Sequence, residues 1–302
     1  MIGPGLAFDT AKYFVICANV LGGCSGTTGP ASTNPATGKP WGLSFPEVRI
    51  RDMVEAQRLL LNHLGITRLK CVAGGSMGGM QTLQYVGDYP AQVDSFICIA
   101  AALKHSAQQI AFNEVGRRAI MADPRWNDGD YYESVPPEGG LSVARMIGHI
   151  TYLSEPMMQE KFGRARKDSA NLFSPSFEVQ RYLDHQGLKF VRRFDANTYL
   201  YITHALDNFD LAADLGGPDR TRGEGRARGQ HLSALAAVKG LVISFSSDWL
   251  YPPDQGRQIV KFLSRLGASV SFAEISSDHG HDSFLTDVES QTKLIQGFLE
   301  SV

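Results

Sequence analysis

The sequence predicts an α/β fold, a mostly parallel sheet covered by helices and interrupted by a helical insertion. Three observations predict it. Apolar, strand-like runs alternate with segments of helical periodicity towards both ends of the chain. Between them lies a long stretch that has little of this alternation. A glycine-rich turn joins one of the apolar runs to its helix, which is how strand and helix meet in such folds.

The elements follow in order. Tyr13 to Ala18 (YFVICA) reads as a strand. Gly22 to Trp41 is rich in Gly, Ser, Thr, Asn and Pro, and its length marks it as a candidate functional loop. Pro46 to Leu64 reads as a helix, with Val54, Leu59, Leu60 and Leu64 near one face. Leu69 to Ala73 is a buried strand, Met80 to Tyr89 a helix, and Val93 to Ala101 a further strand. From Leu103 to about Leu215 the pattern is helical and irregular. Ala107 to Met121, Leu141 to Leu153, Ser176 to Leu183 and Thr198 to Leu206 are its helices. The polar segment GGPDRTRGEGRARGQ, from Gly216, reads as a solvated loop. Strand Gly240 to Phe245, helix Asp254 to Leu266, strand Ser269 to Ile275 and helix Phe284 to Leu299 resume the alternation. The expected division is residues 1–102 and 231–302 for the two parts of the sheet core, with 103–230 as the helical insertion.

Bulk properties exclude several classes. The chain has 302 residues, 43% hydrophobic and 20% charged, with a formal net charge of -2. Such a balance gives no global field for nucleic acid or an anionic membrane. Its four cysteines, Cys17, Cys24, Cys71 and Cys98, lack metal-ligand spacing and read as reduced thiols, so no metal is expected. No apolar run is long enough to span a bilayer, and Met1-Ile2-Gly3-Pro4-Gly5 carries no leader pattern. The expectation is a soluble, cytoplasmic protein.

Chemistry enters at Gly74-Gly75-Ser76-Met77-Gly78-Gly79. G-x-S-x-G between a strand and a helix is a nucleophile elbow. Glycines at Gly74 and Gly78 are expected to let the two backbones approach, and Ser76 is placed at a helix N-terminus, where the Met77 N–H favours an oxyanion. A serine hydroxyl needs an imidazole to take its proton and a carboxylate to orient that imidazole. The partners belong in loops beyond later strand ends. Asp248 is the first acid after strand Gly240 to Phe245, and both His279 and His281 follow the strand ending at Ile275. Spacing leaves these two histidines open. His63, His105, His149, His185, His204 and His231 are assigned surface or capping roles.

Longer segments carry a resemblance. CANVLGGCSGTTGPASTNPATGKPWG, FPEVRIRDMVEAQ, GGSMGGMQ, HSAQQIAFNEVGRRAI, DPRWNDGDY, ARMIGHITYLSE, KFGR, YLDHQG, FDANTYLYITHALD, SDWLYPP and GHDSF run in order along nearly the whole chain. With them the chain resembles the homoserine O-acetyltransferase family of α/β-hydrolase-type acyltransferases. The resemblance implies an α/β-hydrolase-type sheet with a helical lid. It selects His281, in G-H-D, as the base for nucleophile Ser76, with Asp248 as its orienter. It also implies two substrate-binding residues, Arg145 for the carboxylate and Asp282 for the ammonium of an amino acid. The implied reaction is ping-pong acetyl transfer from acetyl-CoA, a cosubstrate and not a bound cofactor, to L-homoserine in methionine biosynthesis, by a homodimer. Succinyl-CoA as donor, serine as acceptor, an esterase, and a truncated inactive dimerisation module are the alternatives. Family members carry a further segment before the position of Ile2-Gly3-Pro4-Gly5, so the N-terminal strands and a second oxyanion donor are expected to be missing here.

Overall fold

Four apolar runs become strands, and each pairs with the next in the same direction. In the computed structural model, which describes residues 1–168, 171–216 and 225–302, these are β1 (Leu69–Gly75), β2 (Val93–Ile99), β3 (Lys239–Phe245) and β4 (Ser269–Ile275). Their order across the sheet is β1-β2-β3-β4, and all three pairings are parallel. β2 and β3 are the inner strands, which is why they read as almost unbroken buried runs. Their register brings Ile97 opposite Leu241 and Ile99 opposite Ile243. Those four residues, with Phe245, Ile275, Ile295 and Leu299, form the core of this layer.

Parallel neighbours need crossovers, and helices supply them. α1 (Ile50–His63) precedes β1, and α2 (Met77–Asp88) joins β1 to β2. The buried stripe of α1 is Ile50, Met53, Val54 and Leu61. Leu59, Leu60 and Leu64, expected near the Val54 face, are exposed instead, because the stripe advances by three, four and seven residues and leaves them on the far side.

The chain divides into two compact units. The sheet unit comprises Met1–Ala18, Ile50–His105 and Asn208–Val302, and the helical unit Asn19–Arg49 and Ser106–Asp207. This differs from the segmentation expected from the sequence. The loop at Asn19–Arg49 belongs with the helices, and Asn208 onwards, inside the expected insertion, belongs with the sheet. Specific bonds explain both placements. The Tyr201 hydroxyl donates to the carbonyls of Leu43 (3.2 Å) and Phe45 (2.6 Å), and Phe45 packs edge-on against the Tyr201 ring. Leu211 N–H donates to Leu103 O at 3.0 Å, and Lys104 pairs with Asp210.

The helical unit holds α3 (Ala107–Met121), α4 (Glu138–Tyr152), α5 (Glu155–Lys161), α6 (Glu178–Val191) and α7 (Ala196–Asp207). Ser106 and Gln109 close a reciprocal capping box at the start of α3. α5 was not anticipated, although Ser154 caps it by accepting from Met157 N–H at 3.1 Å. α4 packs on α3 and α6. Gly140 makes the α3 contact close, since a Cβ there would overlap the Ala119 carbonyl and lie 2.7 Å from Ile120 Cα. His149, further along α4, is buried. Its Nδ1 bonds the Tyr182 hydroxyl at 2.9 Å, while Nε2 has no partner among the described residues. Burial first, and then Arg145, Lys161 and Arg193, pull its pKa down to about 4.

Back in the sheet unit, α8 (Leu211–Gly216) and α9 (Gly225–Ala237) precede β3, and α10 (Pro253–Arg265) joins β3 to β4. Residues 217–224 of the expected polar loop lie outside the described residues. Its last part, from Gly225, is helix and not loop. Arg and Ala are strong helix formers, and the segment runs on to Leu235, which is fully buried. The last expected helix is two, α11 (Ser283–Thr286) and α12 (Val288–Glu300). Asp287 breaks the run at ψ 57°, and buried Gln291 donates to the carbonyls of Ser283, Phe284 and Asp287 across the break. Tyr13 to Ala18 is not a strand. A strand exists only when paired, and this segment enters no ladder among the described residues.

Two measurements test this packing. Gly140→Ala should cost about 1–3 kcal/mol in urea unfolding, because backbone, not a flexible side chain, stands in the way. His149 gives a pH test. The folded imidazole takes its proton near pH 4 and the unfolded chain near 6.5, so between these values unfolding takes up a proton and stability falls as pH falls. The drop in unfolding free energy from about pH 7 to about pH 5 should be larger in the wild type than in His149→Gln.

Candidate active site

β1 ends at Gly75 and α2 begins at Met77, so the whole turn is Ser76. Its backbone sits at φ 55°, ψ -120°, a conformation that costs a non-glycine residue about 1–3 kcal/mol and must be held by its surroundings. Ser76 N–H donates to Ile99 O at 2.9 Å, and Ser76 O accepts from Met80 N–H at 3.2 Å. The close approach expected at the Gly74–Gly78 pair is present, but it constrains one partner. A Cβ on Gly74 would overlap the Gly78 carbonyl, whereas one on Gly78 would meet nothing within 4 Å. Met77 heads α2, and first-turn N–H groups lack intrahelical acceptors.

The β3–α10 loop brings up Asp248, which is 2% exposed. Its Oδ1 accepts from Leu250 N–H (3.0 Å) and Tyr251 N–H (2.8 Å) of the same turn. That leaves Oδ2 for His281 Nδ1, 2.8 Å away. The β4 loop is fastened to the β3 loop on the way. Ser277 N–H donates to Ser246 Oγ (3.0 Å), and Gly280 N–H to Ser247 Oγ (2.9 Å). Gly280 turns there at φ +74°, and His281 follows, also 2% exposed. Its Nε2 lies 2.9 Å from Ser76 Oγ. A carboxylate only accepts, so Nδ1 carries the proton and the Nε2 lone pair faces the serine hydroxyl.

Ser76, His281 and Asp248 therefore form one hydrogen-bonded line within the sheet unit. It can accept a hydroxyl proton as the oxygen attacks an electrophilic carbon. His279, the competitor by spacing, is half-exposed and bonds Thr286 Oγ1 at 2.8 Å instead. Asp282 is half-buried beside His281, and its carbonyl accepts from Thr286 Oγ1. Arg145 lies in the helical unit, half-buried on α4, with its guanidinium over the rings of Phe190 (4.8 Å) and Tyr152 (5.6 Å).

Sequence reasoning missed the residues around the imidazole. The Tyr251 and Phe284 rings pack on His281 at 5.0 and 5.1 Å. His105, assigned a surface or capping role, is buried and bonds the Tyr251 hydroxyl at 2.7 Å. His149 is likewise buried, contrary to the same assignment. Tyr251, three residues after Asp248 in SDWLYPP, was the available signal. Among the described residues no cluster of three or more His, Cys, Asp or Glu side chains could hold a metal ion. All four cysteines are free, and burial pushes the Cys71 and Cys98 thiols up to about 12. Among the described residues no helix is long and apolar enough to cross a membrane.

Comparison with known proteins adds to this geometry. Residues 2–288 match the family model of the alpha/beta hydrolase fold. A homoserine O-acetyltransferase of Rhodospirillum rubrum is 53% identical over 99% of this chain and 75% of its own length. Among solved structures, homoserine O-acetyltransferase from Bacillus anthracis superposes with a TM-score of 0.85 at 27% identity, covering 98% of this chain and 79% of that one. Esterase E22 superposes at 0.84 with 30% identity, covering 99% and 81%. Identity of this extent, on a sheet of this topology, makes the chain a member of the homoserine O-acetyltransferase family, enzymes of the alpha/beta hydrolase fold.

Proposed function

We propose that this chain transfers an acetyl group from acetyl-CoA to the hydroxyl of L-homoserine, giving O-acetyl-L-homoserine and CoA for methionine biosynthesis. The observation that carries the proposal is the line from Ser76 Oγ through His281 to Asp248, at 2.9 and 2.8 Å, in a chain about half identical to homoserine O-acetyltransferases.

The reaction has two halves. Ser76 Oγ attacks the thioester carbonyl carbon while His281 Nε2 takes the hydroxyl proton. Negative charge gathers on the carbonyl oxygen, and the Met77 N–H at the head of α2 is the donor assigned to it. The C–S bond then breaks, and the proton on His281 passes to the departing CoA sulfur. Acetyl-Ser76 remains. In the second half the homoserine hydroxyl gives its proton to His281 and attacks the acetyl carbon, and Ser76 Oγ leaves with that proton. Asp248 orients the imidazole and stabilises its cationic form throughout. Arg145 is assigned to the homoserine carboxylate, which a guanidinium can grip with two hydrogen bonds, and Asp282 to its ammonium. A cytoplasmic homodimer, with acetyl-CoA as cosubstrate and no bound cofactor, completes the proposal.

A second reading, ester hydrolysis with water as the acceptor, is favoured by the similarity to esterase E22. One assay separates the two. Under acetyl transfer, CoA release from acetyl-CoA should depend on homoserine beyond one turnover, O-acetylhomoserine should accumulate, and mass spectrometry should find the acetyl group on Ser76. Sustained release without homoserine, yielding acetate, would establish the hydrolase. Succinyl-CoA run in parallel decides the donor. Ser76→Ala should lose the adduct and lower kcat by about 10³-fold or more.

A further inference from the structure

The His281 imidazole touches more than Asp248 and Ser76. The Tyr251 ring lies 5.0 Å away with its plane tilted 34° from the imidazole. That ring is anchored at both ends. The Tyr251 N–H donates to Asp248 Oδ1, and its hydroxyl shares a 2.7 Å hydrogen bond with His105 Nε2. Both side chains are buried, at 4% and 8% exposure. His105 itself ends a fastened segment. After β2, Ala100 N–H donates to Ile243 O, Leu103 O accepts from Leu211 N–H, and Lys104 pairs with Asp210. The hydroxyl of Tyr251 is thus tied to the β2 loop, its backbone to the β3 loop, and its face to a histidine of the β4 loop.

We propose that Tyr251 and His105 are positioning residues for His281, their hydrogen bond holding the Tyr251 ring against the imidazole and so fixing the angle at which Nε2 meets Ser76. This rests on His281 being the proton carrier of the proposed reaction. Hydrogen bonds weaken steeply with misalignment, and a proton transfer inherits that sensitivity. An imidazole held by Asp248 and packed against Phe284 can still swing about the Nδ1 bond, and the Tyr251 ring locked beside it limits that freedom. The same ring face suits the imidazolium that forms when Ser76 yields its proton.

Acylation by p-nitrophenyl acetate tests this on the whole chain, since the nitrophenolate burst reports acylation without the natural donor or acceptor. Tyr251→Phe keeps the ring and the backbone N–H but loses the hydroxyl. It and His105→Ala should each slow acylation about 3- to 10-fold, the worth of one buried hydrogen bond, with KM changed by less than about twofold. His105→Gln, which keeps a hydrogen-bonding group near the phenol, should recover most of the rate. The double variant should be no slower than the slower single one, because both remove the same bond. Unchanged acylation in Tyr251→Phe, even with a lower melting temperature, overturns the positioning role, as do additive losses. His281→Ala is the control for the underlying reading. If it acylates at the wild-type rate, the proton-carrier assignment fails and the positioning role with it. If it does not acylate while Tyr251→Phe matches the wild type, the positioning role fails alone.

Discussion

Three strands end in the same way, and the site depends on it. As the chain leaves β1, Ser76 N–H donates to Ile99 O at the end of β2. As it leaves β2, Ala100 N–H donates to Ile243 O in β3, and as it leaves β3, Ser246 N–H donates to Ile275 O in β4. Each departing segment is thereby pinned to the next strand before its loop begins. The acceptors are core residues, with Ile99, Ile243 and Ile275 all in the buried cluster of the sheet. Moving any loop origin would require moving that core. Two of the three donors, Ser76 and Ala100, sit at positive φ without being glycine, so the strain is borne where the sheet can hold it.

From these fixed origins the loops need few further ties. Ser246 and Ser247 side chains join the β3 loop to the β4 loop through Ser277 and Gly280. His281 can therefore reach Ser76, 205 residues away in sequence.

What the sequence revealed follows the range over which each feature is determined. β2 and β3 were legible because an inner parallel strand is apolar on both faces, and α3 because its periodicity and its Ser106 cap are local. The order Ser76, Asp248, His281 was legible because strand ends are marked by composition and the site gathers at strand ends. Tyr13 to Ala18 misled because strand propensity states fitness for a sheet, not the presence of a neighbour. Asp287 hid its break because the compensation comes from Gln291, a side chain four residues further on. The Tyr251–His105 bond was not legible even though Tyr251 follows Asp248 closely, as its partners stand 146 residues apart. The attachment of Asn19–Arg49 to the helices was hidden for the same reason, since Phe45 meets Tyr201 only once the helical unit is folded.

Asp248 shows how local and distant constraints combine. Burying a carboxylate is costly unless donors replace its water, and here backbone N–H groups from Leu250 and Tyr251 supply two such donors. Those groups belong to the turn that Asp248 itself begins, and Pro252 and Pro253 end that turn by starting α10. The oxygen left over is oriented by this turn. It can only accept, so the histidine that meets it must present Nδ1–H and turn its lone pair outward at Nε2. The tautomer needed at Ser76 is thus decided in the SDWLYPP turn, by backbone geometry.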